Sequence, residues 1–316
     1  MQRYILSRLV QSLLILFGVL CIVFFMLQLT GDPVSLMVSR SASPEQMERL
    51  REELGYNRPM IVQFADFASG AVRGDFGNST RHHQPAMGLI LARLPATIEL
   101  ATVSLLMSMF IGITLGLLGG SNPGSLWDAI ARGAGLIGQT IPNFWLGLIL
   151  ILIFSVNLGW FPTFGRETWN FLGFIPIPTR SVILPAFSLG LFTMGQLVRF
   201  TRSAVLEIRG EDYVRTAYSK GIADKRIYVK HILRNAAIPL ISIIGVQFGY
   251  LLSGSIYIET IFSWPGLGNL LAEAIGNRDF ALVQAIAFFT SIVVVFLNLL
   301  TDIAYGMADP RIRYGD

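Results

Sequence analysis

The 316-residue chain has a single cysteine, Cys21, and only three histidines, His82, His83 and His231. One cysteine excludes an internal disulfide and a cysteine-rich metal site. His82 and His83 are adjacent, and two neighbouring rings rarely face one ion without a third ligand, so they read as loop histidines. His231 has no cysteine or histidine close by in sequence. The HExxH, GxSxG, P-loop and GxGxxG patterns are missing, so no catalytic residue, metal site or resident cofactor is expected. Charge is scarce too: 14% of residues are charged, where a soluble domain carries about a quarter. Hydrophobic residues make up 53% of the chain and mean hydropathy is +0.59. The net charge of +4 is modest. Its basic residues flank apolar runs and lack the aromatic interleaving of a nucleic-acid surface, so no nucleic-acid partner is expected.

What the chain has instead is long uncharged apolar runs. Six of them, running approximately over 9–30, 97–119, 134–157, 181–199, 236–258 and 281–301, are long enough to cross a bilayer. The expected fold is an all-α membrane protein with six transmembrane helices. The first run is expected to be retained, because from Leu9 to Thr30 it is longer than a signal-peptide core and no small-residue cleavage site follows. Arg3 and Arg8 place the N-terminus inside by the positive-inside rule. Six crossings return the C-terminus to the same side, where Arg311 and Arg313 agree. Both termini are therefore expected in the cytoplasm. Only Glu99 intrudes on a run; it and Asp302, near the end of the last run, read as interfacial or packing residues.

The resulting organisation is a transmembrane helix at 1–30, an external loop at 31–93, a transmembrane core at 94–305 carrying a cytoplasmic loop at 199–235, and a cytoplasmic tail at 306–316. From Gly31 to Pro95 seven acids (Asp32, Glu45, Glu48, Glu52, Glu53, Asp66, Asp75) balance seven arginines (Arg40, Arg49, Arg51, Arg58, Arg73, Arg81, Arg93). Ser43-Pro44-Glu45 is a helix start and Gly55 a stop, and a second helix is expected at about Met60 to Ala71. The external loop thus reads as a small folded element. Trp160, Trp169 and Trp264 fall near external span ends, where indole suits the interface.

Nine of the 24 Lys and Arg residues lie between Arg199 and Arg234, among them all three lysines, Lys220, Lys225 and Lys230. Each charge at the bilayer centre costs roughly 2.5–3.5 kcal/mol, so this segment is a loop. It contains the pattern of a short helix. Glu211 and Asp212 open it, Lys220 closes it and Gly221 stops it. Tyr213, Val214, Ala217 and Tyr218 give it an apolar stripe. An ordered amphipathic helix on the cytoplasmic face suggests a docking element. Gly112, Gly116 and Gly120 lie four apart, a ridge for either a subunit interface or packing within one subunit. Gln139, Asn143, Gln196, Gln247, Tyr250, Ser253 and Ser255 punctuate the spans; they serve either as interhelical glue or as the lining of a wet pathway for a polar solute. Gln139, Asn143, Gln247, Tyr250 and Ser253 are the candidates for that lining. The spans lack the buried acids and bases of ion-coupled carriers. A transporter of this kind must be driven from outside, most simply by an ATPase on the basic loop. The competing classes are a self-sufficient channel or ion-coupled carrier and an intramembrane enzyme. The missing charges argue against the carrier, and the missing catalytic patterns against the enzyme.

The segment Tyr213-Val-Arg-Thr-Ala-Tyr-Ser-Lys-Gly221 resembles the EAA-type coupling loop of ABC importer permeases. Thr216 and Ala217 stand where the family's alanines fall, Gly221 matches its glycine, and Arg215 replaces the acidic residue of the name. His231-Ile-Leu-Arg-Asn-Ala-Ala-Ile-Pro239, Glu259-Thr-Ile-Phe-Ser-Trp-Pro-Gly-Leu-Gly268, Asn277-Arg-Asp279 and Asp309-Pro-Arg-Ile-Arg313 are similar to the dipeptide/oligopeptide/nickel group. So are Leu94-Pro-Ala-Thr-Ile-Glu-Leu100 and Ile141-Pro-Asn-Phe-Trp145. The long first external loop marks the B-type permease. The resemblance implies a type I ABC importer permease fold in the bacterial inner membrane, with 94–305 as its core. It implies a heterodimer with a second, related permease, two cytoplasmic ATPase subunits that hold ATP and Mg and carry out the hydrolysis, and an extracytoplasmic solute-binding protein. Glu211, Asp212, Tyr213, Arg215, Thr216, Ala217, Lys220 and Gly221 would then couple to the ATPase. The implied cargo is dipeptides or oligopeptides; nickel chelates, glutathione and opines are the alternatives.

Overall fold

The computed structural model describes residues 2–29, 43–53, 55–171, 175–253 and 255–308. Asp32, Arg40 and the segment Asp309 to Arg313, with Arg311, lie outside the described residues, as do the side chains of Trp169, Lys225 and His231. The chain opens with α1 (Gln2–Leu29), α2 (Pro44–Glu53), α3 (Met60–Arg73), α4 (Ala86–Ser121) and α5 (Leu126–Thr140). Next comes α6 (Asn143–Leu150), which runs on as a π-helical stretch at Ile151–Asn157. A hairpin of β1 (Thr168–Phe171) and β2 (Ile175–Pro178) precedes α7 (Ile183–Arg209). Then follow α8 (Asp212–Ser219), α9 (Asp224–Ile227), a π-helical stretch at Tyr228–Leu233, and α10 (Arg234–Ser253). The chain closes with α11 (Ile256–Ile261), α12 (Leu267–Gly276) and α13 (Phe280–Ala308).

Among the described residues, four helical segments are long and apolar enough to cross a membrane: Leu6–Met26, Ala86–Ser121, Arg180–Arg209 and Phe280–Ile303. The expected third span is not one straight helix. It breaks between α5 and α6, which meet at 105°, and counts as a fifth span only if the pair crosses together. The cause is Pro142. A residue before proline is pushed out of the helical region, and Ile141 is extended, at φ −79 and ψ 125. In the expected fifth span the described apolar stretch is the shorter Ile243–Ser253. The antiparallel pairing of β1 with β2, Thr168 opposite Pro178, departs from an all-α reading. Pro176 and Pro178 are tolerated there because a two-stranded ribbon has only edge strands.

The described chain divides into two compact units. The first comprises Gln2–Thr97 and Pro265–Phe296. Its core gathers Leu20, Phe76, Ile90, Leu270, Leu282 and Ile286. α3 packs an aromatic edge on α1, with Phe64 and Phe67 at 5.3 and 5.9 Å from Phe24 between ring centroids. α2 starts in a capping box: Gln46 N donates to Ser43 Oγ at 3.2 Å, and Ser43 N donates to Gln46 Oε1 at 3.1 Å. Gly55, at φ +74, follows its end. Asp279 caps α13 by accepting from Leu282 N at 3.2 Å. Fully buried, it also accepts from Ser79 Oγ at 2.5 Å, which ties the turn before α4 to the start of α13. His82 and His83 beside it are exposed.

The second unit comprises Ile98–Trp264 and the part of α13 from Leu297. α7 is its axis, with most of its inner residues buried. The glycine ridge of α4 packs on α7 within the chain. A Cβ placed on Gly112, Gly116 or Gly120 would lie 2.7, 2.5 and 2.8 Å from the Cβ of Leu197, Thr201 and Val205 respectively. α5 makes the same kind of approach, since a Cβ on Gly138 would meet the Gly195 Cα at 2.8 Å. The ridge therefore serves packing inside the subunit. Trp264 is fully buried in this unit, unlike an interfacial belt residue, and Glu259, whose carbonyl accepts from Trp264 N at 2.7 Å, is fully buried with it. Trp160 is 58% exposed.

Gly116→Val should overpack this contact, because neither Thr201 nor the Val198 carbonyl, 2.8 Å from the added Cβ, can retreat. The expected cost is about 1–3 kcal/mol or more. Thermal unfolding of the detergent-solubilised protein should show a lower midpoint than for Gly133→Ala, where the added Cβ meets nothing within 4 Å. Equal midpoints would refute the close-packing account.

Candidate functional site

The basic loop is built around α8. The helix has Glu211 at its N-cap, Asp212 in its first turn and Lys220 at its C-cap. Gly221 follows at φ +69. A left-handed residue closes a helix C-terminus cheaply only when it is glycine. The apolar stripe divides. Val214 and Ala217 are buried with Val205, Ile227 and Ile232, so α8 is clamped to α7 and to the segment after it. Tyr213 and Tyr218 are exposed. Tyr213 is held from outside by Asn235 Nδ2, which donates to its hydroxyl oxygen at 3.1 Å. Glu211, Asp212, Arg215, Thr216 and Lys220 complete the open face. Of the eight residues singled out in the sequence, Ala217 alone faces inward as an anchor.

The loop is also tied to the end of α4. The last carbonyls of a helix lack intrahelical donors. Those of α4 receive Arg209 Nη1 on Gly120 O at 3.2 Å and on Ser121 O, and Tyr228 Oη on Ser121 O at 3.1 Å. Alongside, Asp128 lies in the first turn of α5. Its Oδ1 accepts from Arg202 Nε at 2.6 Å and its Oδ2 from Gly124 N at 3.0 Å. Sequence periodicity gave no sign of the contacts made by Arg202, Arg209 and Tyr228, whose partners lie 74 to 107 positions away.

The candidate pathway residues are only partly brought together. Gln139, Asn143 and Tyr250 line a cavity of about 350 Å3, together with Phe192, Tyr257 and Ile258. The Phe192 and Tyr250 rings lie 5.6 Å apart. Gln247 is buried instead, accepting from Thr193 Oγ1 at 3.5 Å and donating to Gln196. It sits as glue between α7 and α10. Ser253 is exposed and donates to the Tyr250 carbonyl. Glu99 has an unforeseen partner: Arg166 Nε donates to its Oε2 at 2.8 Å.

α8 is thus an amphipathic helix clamped by its buried side within the basic loop. The family model described as "Binding-protein-dependent transport system inner membrane component" matches residues 112–314. Its N-terminal companion matches residues 1–101. The chain belongs to this permease family. It is thus a multi-pass inner-membrane component and a translocation subunit rather than an enzyme, with ATPase activity in partner subunits. The oligopeptide transport system permease protein AppB of Bacillus subtilis is 41% identical over 316 residues, covering 99% of this chain and all of that protein. The dipeptide transport system permease protein DppB of Escherichia coli K12 is 37% identical over 337 residues, covering 99% of each. Among solved structures, the inward-facing MetNI methionine ABC transporter is similar at a TM-score of 0.53 and 19% identity. The match covers 71% of this chain and 97% of that one, and it shows that the permease shares the fold.

Proposed function

We propose that this permease moves peptides, dipeptides or oligopeptides, across the inner membrane of a bacterium in an ATP-driven importer. The observation that carries this reading is the end-to-end similarity to AppB, at 41% identity. Its partners are a second, related permease in a heterodimer, two cytoplasmic ATPase subunits that hold ATP and Mg, and an extracytoplasmic solute-binding protein. The chain crosses the membrane six times with both termini inside, and residues 31–93 form a folded external loop. The bent α5–α6 pair makes one of the crossings.

Coupling runs through the open face of α8. Glu211, Asp212, Tyr213, Arg215, Thr216 and Lys220 meet the ATPase, and Ala217 and Gly221 hold the helix in shape. Because Val214 and Ala217 are packed against Val205, Ile227 and Ile232, a push on α8 moves α7 and the segment at 227–232 with it. Packed cores transmit such shifts between discrete arrangements rather than absorbing them. Gln139, Asn143 and Tyr250 line the pathway, with Gln247 and Ser253 next to it.

Three experiments test these points. The complete importer, reconstituted in vesicles with its binding protein, should take up labelled tripeptide, and excess nickel chelate, glutathione or opine should leave that uptake unchanged. Uptake of one of these solutes in place of peptide would reassign the cargo. Gly221→Val forces a β-branched residue into the left-handed region at about 1–2 kcal/mol; it should cut ATPase co-purification and uptake severalfold, with Gly221→Asn retaining more. Wild-type coupling in the valine variant would sink the assignment of α8. For orientation, cysteine reporters are placed at Arg226 and Arg49. A membrane-impermeant maleimide added to intact cells should label the second alone, and labelling of both would refute the topology.

A further inference from the structure

The groove between α5 and α7 extends past Gln139 into a second cavity, of about 330 Å3, lined by Arg132, Leu136, Gln139, Arg199 and Arg202 among others. Gln139 lines both cavities, so the two adjoin. Their chemistry differs. The first has amide, phenol and phenyl groups and no charge. The second has three guanidiniums against one nearby carboxylate, Asp128. Asp128 is committed: Oδ1 is taken by Arg202 at 2.6 Å, and Oδ2 by Gly124 N at 3.0 Å, with Arg132 at 3.7 Å. That leaves a surplus of two positive charges on the cavity wall. Arg199 makes no ion pair among the described residues; its guanidinium carbon lies 5.4 Å from the centroid of the Phe200 ring. A guanidinium lying on an aromatic ring keeps its planar fork of donors free, and that fork matches a carboxylate in two parallel hydrogen bonds.

We propose that this second cavity is an oxyanion subsite that takes the carboxylate of the cargo, with Arg199 as its main ligand and Arg132 beside it. The proposal rests on the peptide reading above. A peptide offers apolar and amide groups along its length and a full negative charge at its C-terminus. The uncharged cavity suits the former and the arginine-lined cavity the latter. A carboxylate leaving water for a groove between helices needs a compensating charge, and the surplus supplies it. The phosphate of an anionic lipid is the other source of the same oxyanion chemistry.

The test uses the complete importer in phosphatidylcholine nanodiscs without nucleotide. The permease carries Cys21→Ala and a single reporter, Leu136→Cys, at a cavity position that is 69% exposed. The readout is the rate of maleimide labelling with trialanine or with its C-terminal amide. Trialanine should slow labelling and the amide should not. Arg199→Gln should weaken protection about tenfold, the loss of one charge-assisted hydrogen-bonded contact, and Arg199→Lys should weaken it less. Equal protection by acid and amide, no protection, or protection indifferent to Arg199→Gln would each overturn the subsite. Slower labelling on adding phosphatidylglycerol, without peptide, would assign the cavity to lipid and overturn it as well. Uptake by the wild-type importer is read separately. Uptake of peptide without acid-specific protection removes the subsite alone, whereas acid-specific protection without uptake removes the peptide reading alone.

Discussion

Helices in hydrocarbon gain nothing from hiding apolar surface from lipid, so they hold together by close approach and by polar contacts. In this permease the close approach is made on α7. Gly112, Gly116 and Gly120 of α4 admit Leu197, Thr201 and Val205, and Gly138 of α5 meets Gly195 almost backbone to backbone. Ser108 adds a polar lock, donating to the Gly190 carbonyl at 2.8 Å. A methyl group at any of these glycines would hold the helices apart. The position of α8, the shape of the groove and the placement of Asp128 against Arg202 all follow from where α7 is seated.

The second constraint is the supply of hydrogen bonds at helix ends. The terminal carbonyls of α4 are satisfied by Arg209 and Tyr228, residues that flank α8 on either side in sequence. The bonds that finish one span thus also locate the loop between two others. Buried Val214 and Ala217 fasten α8 from beneath. A helix of eight residues is too short to be stable alone. Its order comes from these attachments.

Local signals read well from the sequence. The helix start at Ser43-Pro44-Glu45, the left-handed Gly221 and the charge order of α8 each depend on residues a few positions apart. The break at Ile141 and Pro142 was also local, but a hydropathy run hides it, because a bent pair of helices is as apolar as a straight one. Other features depend on distance in sequence. Glu99 finds Arg166 and Asp128 finds Arg202 across 67 and 74 positions. The partner of the glycine ridge was undecided for the same reason, since a small-residue face fits any neighbour. Trp264 fell near a span end and turned inward, which composition cannot foresee. The polar residues of the spans divided by surroundings rather than by type: Gln139 lines a cavity, while Gln247 is closed in by Gln196 and Thr193.

Low charge in the spans and charge at their ends express one requirement. A carrier that harvests an ion gradient must bind that ion within the membrane, and needs buried acids or bases to do so. A permease driven by ATPase subunits has no such need. Conduction asks only that binding along the route be weak enough to release. On the pathway proposed above, uncharged amides and rings in the first cavity would meet that condition for the body of a peptide. They cannot meet it for a carboxylate, whose desolvation is opposed by nothing in that cavity. The charge that compensates it has to lie close by, yet where water can still screen it. Arg199 is exposed, at the end of the apolar part of α7, and in the proposed subsite it would satisfy both conditions. Buried deeper and unpaired, the same guanidinium would destabilise the helix pair, and it would also hold a carboxylate too tightly for release.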